Sequence, residues 1–236
     1  MRKKIFYGVL FIVLLSLTGC KKLDLKPDEF TIHSQACDAG DGEKCYYVGL
    51  MYEQGIGIRK SYYSASKAYK KGCKKDNLSA CAKLGDLYIE GKGIRQNYIY
   101  ANALLKKSCD GNATQGCGAL GEMYMYGKGV RQNFHTAKQL FERSCANNDN
   151  DGRGCTGKGL LHLTGQGVTI NYNIAYDAFE EGCSRGDSAG CYNMATMVED
   201  GVGRKQDKPQ AKELYKKACD AGLKEGCNGF KRLELY

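Results

Sequence analysis

The sequence predicts an all-α chain of paired helices stacked along one axis, an αα-hairpin solenoid, and three observations predict it. Near copies of one segment open at Cys37, Cys73 and Cys109, 36 residues apart, and further copies open at Cys145, Cys183 and Cys219. A second cysteine follows eight positions on, at Cys45, Cys81, Cys117, Cys191 and Cys227, with Cys155 displaced by a two-residue insertion. The first five copies also share a G-x-G loop followed, four residues after its second glycine, by Ser, Asn or Asp. Self-similarity at a period within about 20 to 50 residues marks an array in which each unit buries its apolar face against the next.

Counting each opening cysteine as position 0, positions 8, 11, 14 and 15 carry Cys45, Val48, Met51 and Tyr52, then Cys81, Leu84, Leu87 and Tyr88, then Cys117, Leu120, Met123 and Tyr124. That spacing places four apolar side chains on one stripe of an α-helix, called helix A. Position 12 is Gly49, Gly85, Gly121 and Gly159. A glycine inside a helix costs about 1 kcal/mol, so a close neighbouring helix is expected there. Helix A ends at the G-x-G loop, where glycine takes the left-handed conformation that closes a helix. Ser61, Asn97, Asn133, Asn171 and Asp207 then start helix B as N-caps, and Pro209 fits the first turn of the last one. Its buried face is read at positions 28, 31 and 32, such as Ala101, Leu104 and Leu105.

Within one unbroken helix, residues eight apart are separated by about 12 Å of rise, beyond the reach of a disulfide. A bridge between the paired cysteines therefore requires the chain to reverse. Turn residues do occupy the interval, as in Asp38-Ala39-Gly40-Asp41 and Asp220-Ala221-Gly222. Such a bridge would staple helix B to the next helix A and stabilise by roughly 2 to 3 kcal/mol in the chain-entropy picture.

The amino terminus carries an address. Arg2, Lys3 and Lys4 precede an apolar run from Ile5 to Leu17, too short to span a bilayer, which reads as a cleaved export signal. Leu17-Thr18-Gly19-Cys20 is similar to the bacterial lipobox, so Cys20 is the expected lipidated residue. Thirteen cysteines less Cys20 leave twelve at paired spacings, which suits an oxidising compartment. The expected divisions are a signal peptide at 1–19, a lipid-anchored linker or cap at 20–36, and a repeat domain at 37–236 whose units start at 37, 73, 109, 145 and 183, with a partial one at 219. The net charge of +9 includes the three basic residues of the leader, and the remaining lysines are dispersed. Dispersed charge on an exported chain argues against nucleic acid as a partner. With no C-x-x-C and three histidines, no metal or cofactor is expected.

These columns, G-x-G, the N-cap, the A-x-x-L/A-F/Y face and C-x7-C over residues 37 to 236, resemble SEL-like repeats, relatives of tetratricopeptide repeats. The cysteine pairs with a lipobox in front resemble the Helicobacter cysteine-rich (Hcp) family. The resemblance implies a right-handed αα superhelix with each cysteine pair bridged locally. It also implies either protein and peptide binding or, alternatively, β-lactamase or penicillin-binding activity. His162 and Val198 depart from the tyrosine at position 15, and Ala195 from the glycine at position 12.

Hydrolysis of β-lactams needs a nucleophile beside a base, and Ser64-Ala65-Ser66-Lys67 has the S-x-x-K form. Equivalent positions in the other repeats hold Tyr100, Thr136, Ile174 and Gln210, and no K-T-G occurs, so no catalytic residue is assigned. Binding is the favoured reading, because a stapled solenoid offers a rigid concave face. Positions 10, 13 and 17 vary between copies and are the expected contact surface: Tyr47, Leu50, Gln54; Lys83, Asp86, Glu90; Ala119, Glu122, Tyr126; Asn193, Thr196, Asp200. A second candidate is the loop column Arg59, Arg95, Arg131 and Lys205, interrupted by Thr169, suited to carboxylates or an anionic polymer. The expected partner is a peptide, a protein or a peptidoglycan fragment in the bacterial envelope, with the membrane touched only through the lipid anchor.

Overall fold

A computed structural model describes residues 27–111, 113–146 and 151–234. It forms α1 (Pro27–Asp38), α2 (Gly42–Gln54), α3 (Tyr62–Lys74), α4 (Leu78–Glu90), α5 (Tyr98–Asp110), α6 (Thr114–Tyr126), α7 (Phe134–Ala146), α8 (Arg153–Thr164), α9 (Tyr172–Ser184), α10 (Ser188–Asp200), α11 (Lys208–Asp220) and α12 (Lys224–Glu234). The even-numbered helices are the A helices and the odd-numbered ones the B helices. No strand occurs among the described residues.

The ends of the A helices and the starts of the B helices have the local cause read from the sequence. Gly55, Gly91, Gly127, Gly165 and Gly201 close the A helices with φ between 66° and 79°. Asn97 accepts from the Tyr100 amide at 2.9 Å, Asn133 from Thr136 at 3.0 Å, Asn171 from Ile174 at 3.0 Å and Asp207 from Gln210 at 2.9 Å. Ser61 does the same for Ser64 at 3.2 Å. The sixth A helix, α12, closes the array. At the other end, α1 occupies the place of a helix B and extends the stack one element before Cys37. Pro27 followed by Asp28 and Glu29 begins it, as expected for a first turn where proline and acids are favoured.

All six cysteine pairs are bridged, Cys37–Cys45, Cys73–Cys81, Cys109–Cys117, Cys145–Cys155, Cys183–Cys191 and Cys219–Cys227. Their Cα atoms stand 4.4 to 4.7 Å apart, so each bridge joins the end of a B helix to the first turn of the next A helix. Ala65, Ala101, Ala137, Ala175 and Ala211 of the B helices are fully buried, as are Tyr69, Leu105, Phe141 and Phe179 one turn further on. These larger side chains fill the space over the position-12 glycines. A Cβ on Gly121 would lie 2.6 Å from the Phe141 ring, and one on Gly159 2.6 Å from Phe179, so the glycines buy the close approach of A and B helices.

Neighbouring A helices touch along the array, α2 with α4, α4 with α6, α6 with α8 and α8 with α10. Among the described residues the backbones of consecutive B helices stand farther apart, except α1 and α3, and long side chains span the gap, Lys107 reaching the Cys73 carbonyl oxygen at 3.2 Å and Arg143 that of Cys109 at 2.8 Å. The row of A helices is therefore the inner side of the curve and the B helices the outer side. Small residues draw α6 and α8 together: a Cβ on Gly118 would sit 3.3 Å from the Gly154 amide. One expectation about the contact surface is corrected. Ala119 is fully buried in the cluster that joins α6 to α4 and α5, beside Ala82, and cannot meet a ligand.

Candidate functional site

On the inner face, one salt-bridged cluster crosses three repeats. Arg153 opens α8 under the cap of Asp151, whose Oδ1 accepts the Arg153 amide at 3.2 Å. Its guanidinium reaches back 67 residues to Asp86 on α4, donating from Nη1 to Oδ1 at 2.8 Å and from Nη2 to Oδ2 at 3.5 Å. On the way it passes Glu122 of α6, with Nε 3.9 Å from Oε1. Asp86 and Arg153 are mostly covered, with 23% and 32% of their side chains exposed, whereas Glu122 keeps 43%. Planar two-point pairing of this kind fixes geometry as well as charge.

Glu122 is the poorly matched member. Packing in the concavity pushes its carboxyl up to about 7; Arg153 pulls it down, and Asp86 and Asp187 push it further up. Beside the cluster lies an open cleft of about 340 Å3 lined by Tyr46, Leu50, Gln54, Lys83, Asp86, Gln115, Asp151 and Arg153; Glu122 adjoins it through Arg153, 3.9 Å away. Within that lining the Gln115 Oε1 atom is buried and makes no hydrogen bond. The cleft can receive a donor at Gln115, and Asp86 and Asp151 give it an acidic wall next to Glu122.

Five repeats that each span one A–B hairpin can now be compared with known families. The family model described as Sel1 repeat matches residues 45–77, 78–112, 114–149, 156–187 and 188–223. The chain belongs to the Sel1 repeat family. Each matched unit starts at a helix A, so the cysteine-opened count is the same repeat displaced to include the staple. A Sel1 repeat protein from Oxalobacter formigenes superposes with a TM-score of 0.65 at 22% identity, covering 86% of each chain. The protective antigen c5321 of uropathogenic Escherichia coli, described as having an SLR fold, gives 0.58 at 24% identity over 86% of this chain and 43% of its own. The cysteine-rich protein B of Helicobacter pylori gives 0.43 at 24% identity over 52% of this chain and 91% of its own. No curated protein matches the chain.

In the Sel1 array the sequence-selected residues divide into two surfaces. Asp86 and Glu122 join the cluster, Lys83 lines the same cleft, and Asn193 lies half-buried on α10 further along the inner face. Arg59, Arg95, Arg131 and Lys205 stand apart from it, exposed on the loops between A and B helices. The lipidation candidate Cys20 and the leader lie outside the described residues. Arg153 was not selected by the sequence reading. Its signal was a charge change in one column, since the equivalent residues are Glu43, Ser79, Gln115, Ala189 and Glu225.

Ser64 and Lys67 of the S-x-x-K segment line one cleft with Ser34, Asp38 and Lys71, and each is engaged by a neighbour. Ser64 Oγ receives a hydrogen bond from Ser61 at 3.1 Å, while the Lys67 ammonium rests over the Tyr63 ring, 4.3 Å from its centre. The histidines are dispersed. His33 stacks on Tyr47, His135 meets Gln139, and His162 packs on the outer side of α8. No group of three metal-ligating side chains occurs among the described residues.

Proposed function

We propose that this Sel1 repeat protein is an exported binding module whose inner groove holds an extended peptide-like partner, with a basic side chain of that partner neutralising Glu122. The observation that carries the reading is the mismatch at Glu122. Its side chain keeps 43% exposure beside the cleft, while the neighbouring guanidinium bonds Asp86 at 2.8 Å and reaches Glu122 only at 3.9 Å. A cation arriving there meets a carboxylate that Arg153, at 3.9 Å, only partly neutralises. Free peptides, protein segments and the stem peptides of peptidoglycan share the amide backbone and charged ends that this cleft suits. Twelve paired cysteines support a location outside the reducing cytosol. The leader and Leu17-Thr18-Gly19-Cys20 support a lipid anchor, and the cysteine staples support the Hcp-like branch. No helix among the described residues is long and apolar enough to cross a membrane.

The test is calorimetric titration of a peptide library with single basic residues, at pH 6 and pH 8. Ionisation of a carboxyl titrating near 7 strengthens capture of a cation by about tenfold across that interval. Glu122→Gln should flatten the dependence. Peptides that bind equally with and without a basic residue, at both pH values, would refute the reading.

A further inference from the structure

The edge formed by the loops between A and B helices carries a second surface. Loops 55–61, 91–97 and 127–133 contain Arg59, Lys60, Lys92, Arg95, Lys128 and Arg131 and no carboxylate. Lys92 bonds Glu90 at 2.7 Å, but among the described residues Arg59, Arg95 and Arg131 have no ion-pair or hydrogen-bond partner. Contact between loops makes the edge continuous. A Cβ on Gly93 would fall 2.4 Å from the Tyr62–Tyr63 backbone, one on Gly129 2.3 Å from Tyr98, and one on Gly167 2.7 Å from Phe134, so each loop sits on the start of the preceding helix B. A cleft at the second loop places exposed Tyr63 beside Arg95.

Apolar exposure is concentrated on the same edge. Ile99 is 78% exposed, Tyr63 56% and Ile170 55%, with Ile56, Tyr172 and Ile174 beside them. Among the described residues, the other exposed large apolar side chains are Tyr100 in the first turn of α5, Tyr126 at the end of α6, and Ile32 and Tyr47 at the amino-terminal end. The opposite edge, where the disulfides sit, mixes both signs of charge, with Asp76 bonded to Lys107 at 2.8 Å and Asp38 to Lys71 at 2.7 Å. Unpaired guanidinium groups interleaved with protruding isoleucine and tyrosine match a bilayer surface, whose phosphates take the arginines and whose headgroup layer takes the apolar tips.

We infer that this loop edge docks on anionic phospholipid, laying the solenoid edge-on to a membrane and leaving the inner groove open. The assignment is independent of what the groove binds. Charge complementarity selects the occupant: three consecutive loops free of acids attract an anionic surface, and the protruding side chains would gain nothing from a soluble polyanion.

The chain contains no tryptophan, so a single introduced one reports its own surroundings. Full-length Ile99→Trp and, on the opposite edge, Ala221→Trp would be mixed with vesicles of phosphatidylcholine alone or of phosphatidylcholine with phosphatidylglycerol. Circular dichroism would confirm that each keeps its helices. The expected result is a blue-shifted indole, quenched by bilayer-resident quenchers, for Ile99→Trp on the anionic vesicles, reversed by salt, with Ala221→Trp remaining in water. Adding Arg95→Gln or Arg131→Gln to Ile99→Trp should weaken that signal roughly fivefold for each charge removed. The apolar leader alone would hold the chain on either vesicle and leave both indoles unshifted, which overturns the inference. Equal shifts on the two vesicle types, or protection by soluble polyphosphate without any vesicle response, also overturn it.

Discussion

Replacing Cys109 and Cys117 by alanine tests the role of the staples quantitatively. Both sulfurs are buried, at 1% and 0% exposure, and the bridge spans a sequence separation of 8. Closing a loop of that size removes chain entropy from the unfolded state worth about 2.5 kcal/mol at room temperature. The insertion that lengthens the fourth bridge to a separation of 10 changes this by only about 0.2 kcal/mol, because the dependence is logarithmic. All six bridges should therefore contribute nearly equally through the unfolded chain. Urea unfolding followed by circular dichroism under non-reducing conditions is the assay. With an m-value of about 2 to 3 kcal/mol/M, the midpoint should fall by roughly 1 M, and the Cys219/Cys227 pair replaced in the same way should give a similar loss. An unchanged midpoint for the central pair would show that the helices hold the turn without the bridge and would refute the reasoning. A changed m-value would trace the effect to residual structure in the unfolded chain.

Gly121→Ala should destabilise despite alanine's better helix propensity, because its Cβ would lie 2.6 Å from the Phe141 ring in a filled core. The expected loss is about 1 to 3 kcal/mol in thermal or urea unfolding, and a neutral or stabilising result would mean that α6 and α7 separate easily. At the carboxy-terminal end, Glu199 accepts from Arg232 and, at 2.8 Å, from Tyr215, tying α12 to α10 and α11. Arg232 holds the Glu199 carboxyl below the usual carboxylate range, outweighing the opposing effect of burial. Its stabilising contribution is thus present above the unfolded carboxyl's pKa and disappears as pH falls through the lowered folded value. Arg232→Ala should raise the pH at which helicity is lost on acid titration. Coincident acid transitions for the two proteins would contradict the pairing.

The parts of this fold legible in the sequence are those written by local chemistry. Gly91 and Asn97 determine where α4 ends and α5 begins through their own backbone and side chain, and five repetitions of that pair supply a check within one chain. The staples follow from turn residues lying between cysteines. Helix α1 was read only as a linker or cap because Phe30 and Cys37 are its main apolar anchors, while Ile32 is exposed, so its periodicity is weak. The Arg153–Asp86 bridge depends on how two nonadjacent repeats curve toward one another, which no local pattern encodes. The burial of Ala119 escapes a local pattern for the same reason: it depends on how closely α6 approaches α4, where Ala82 is its neighbour in the core.

Keeping every crosslink inside one hairpin turn has a consequence for biogenesis. Under the export proposed above, a chain that emerges amino terminus first presents each thiol only a few residues before its proper mate, and long before the next candidate downstream. Correct pairing then follows the order of emergence, so oxidation can proceed unit by unit behind the pore without an isomerase sorting six couples from a finished polypeptide.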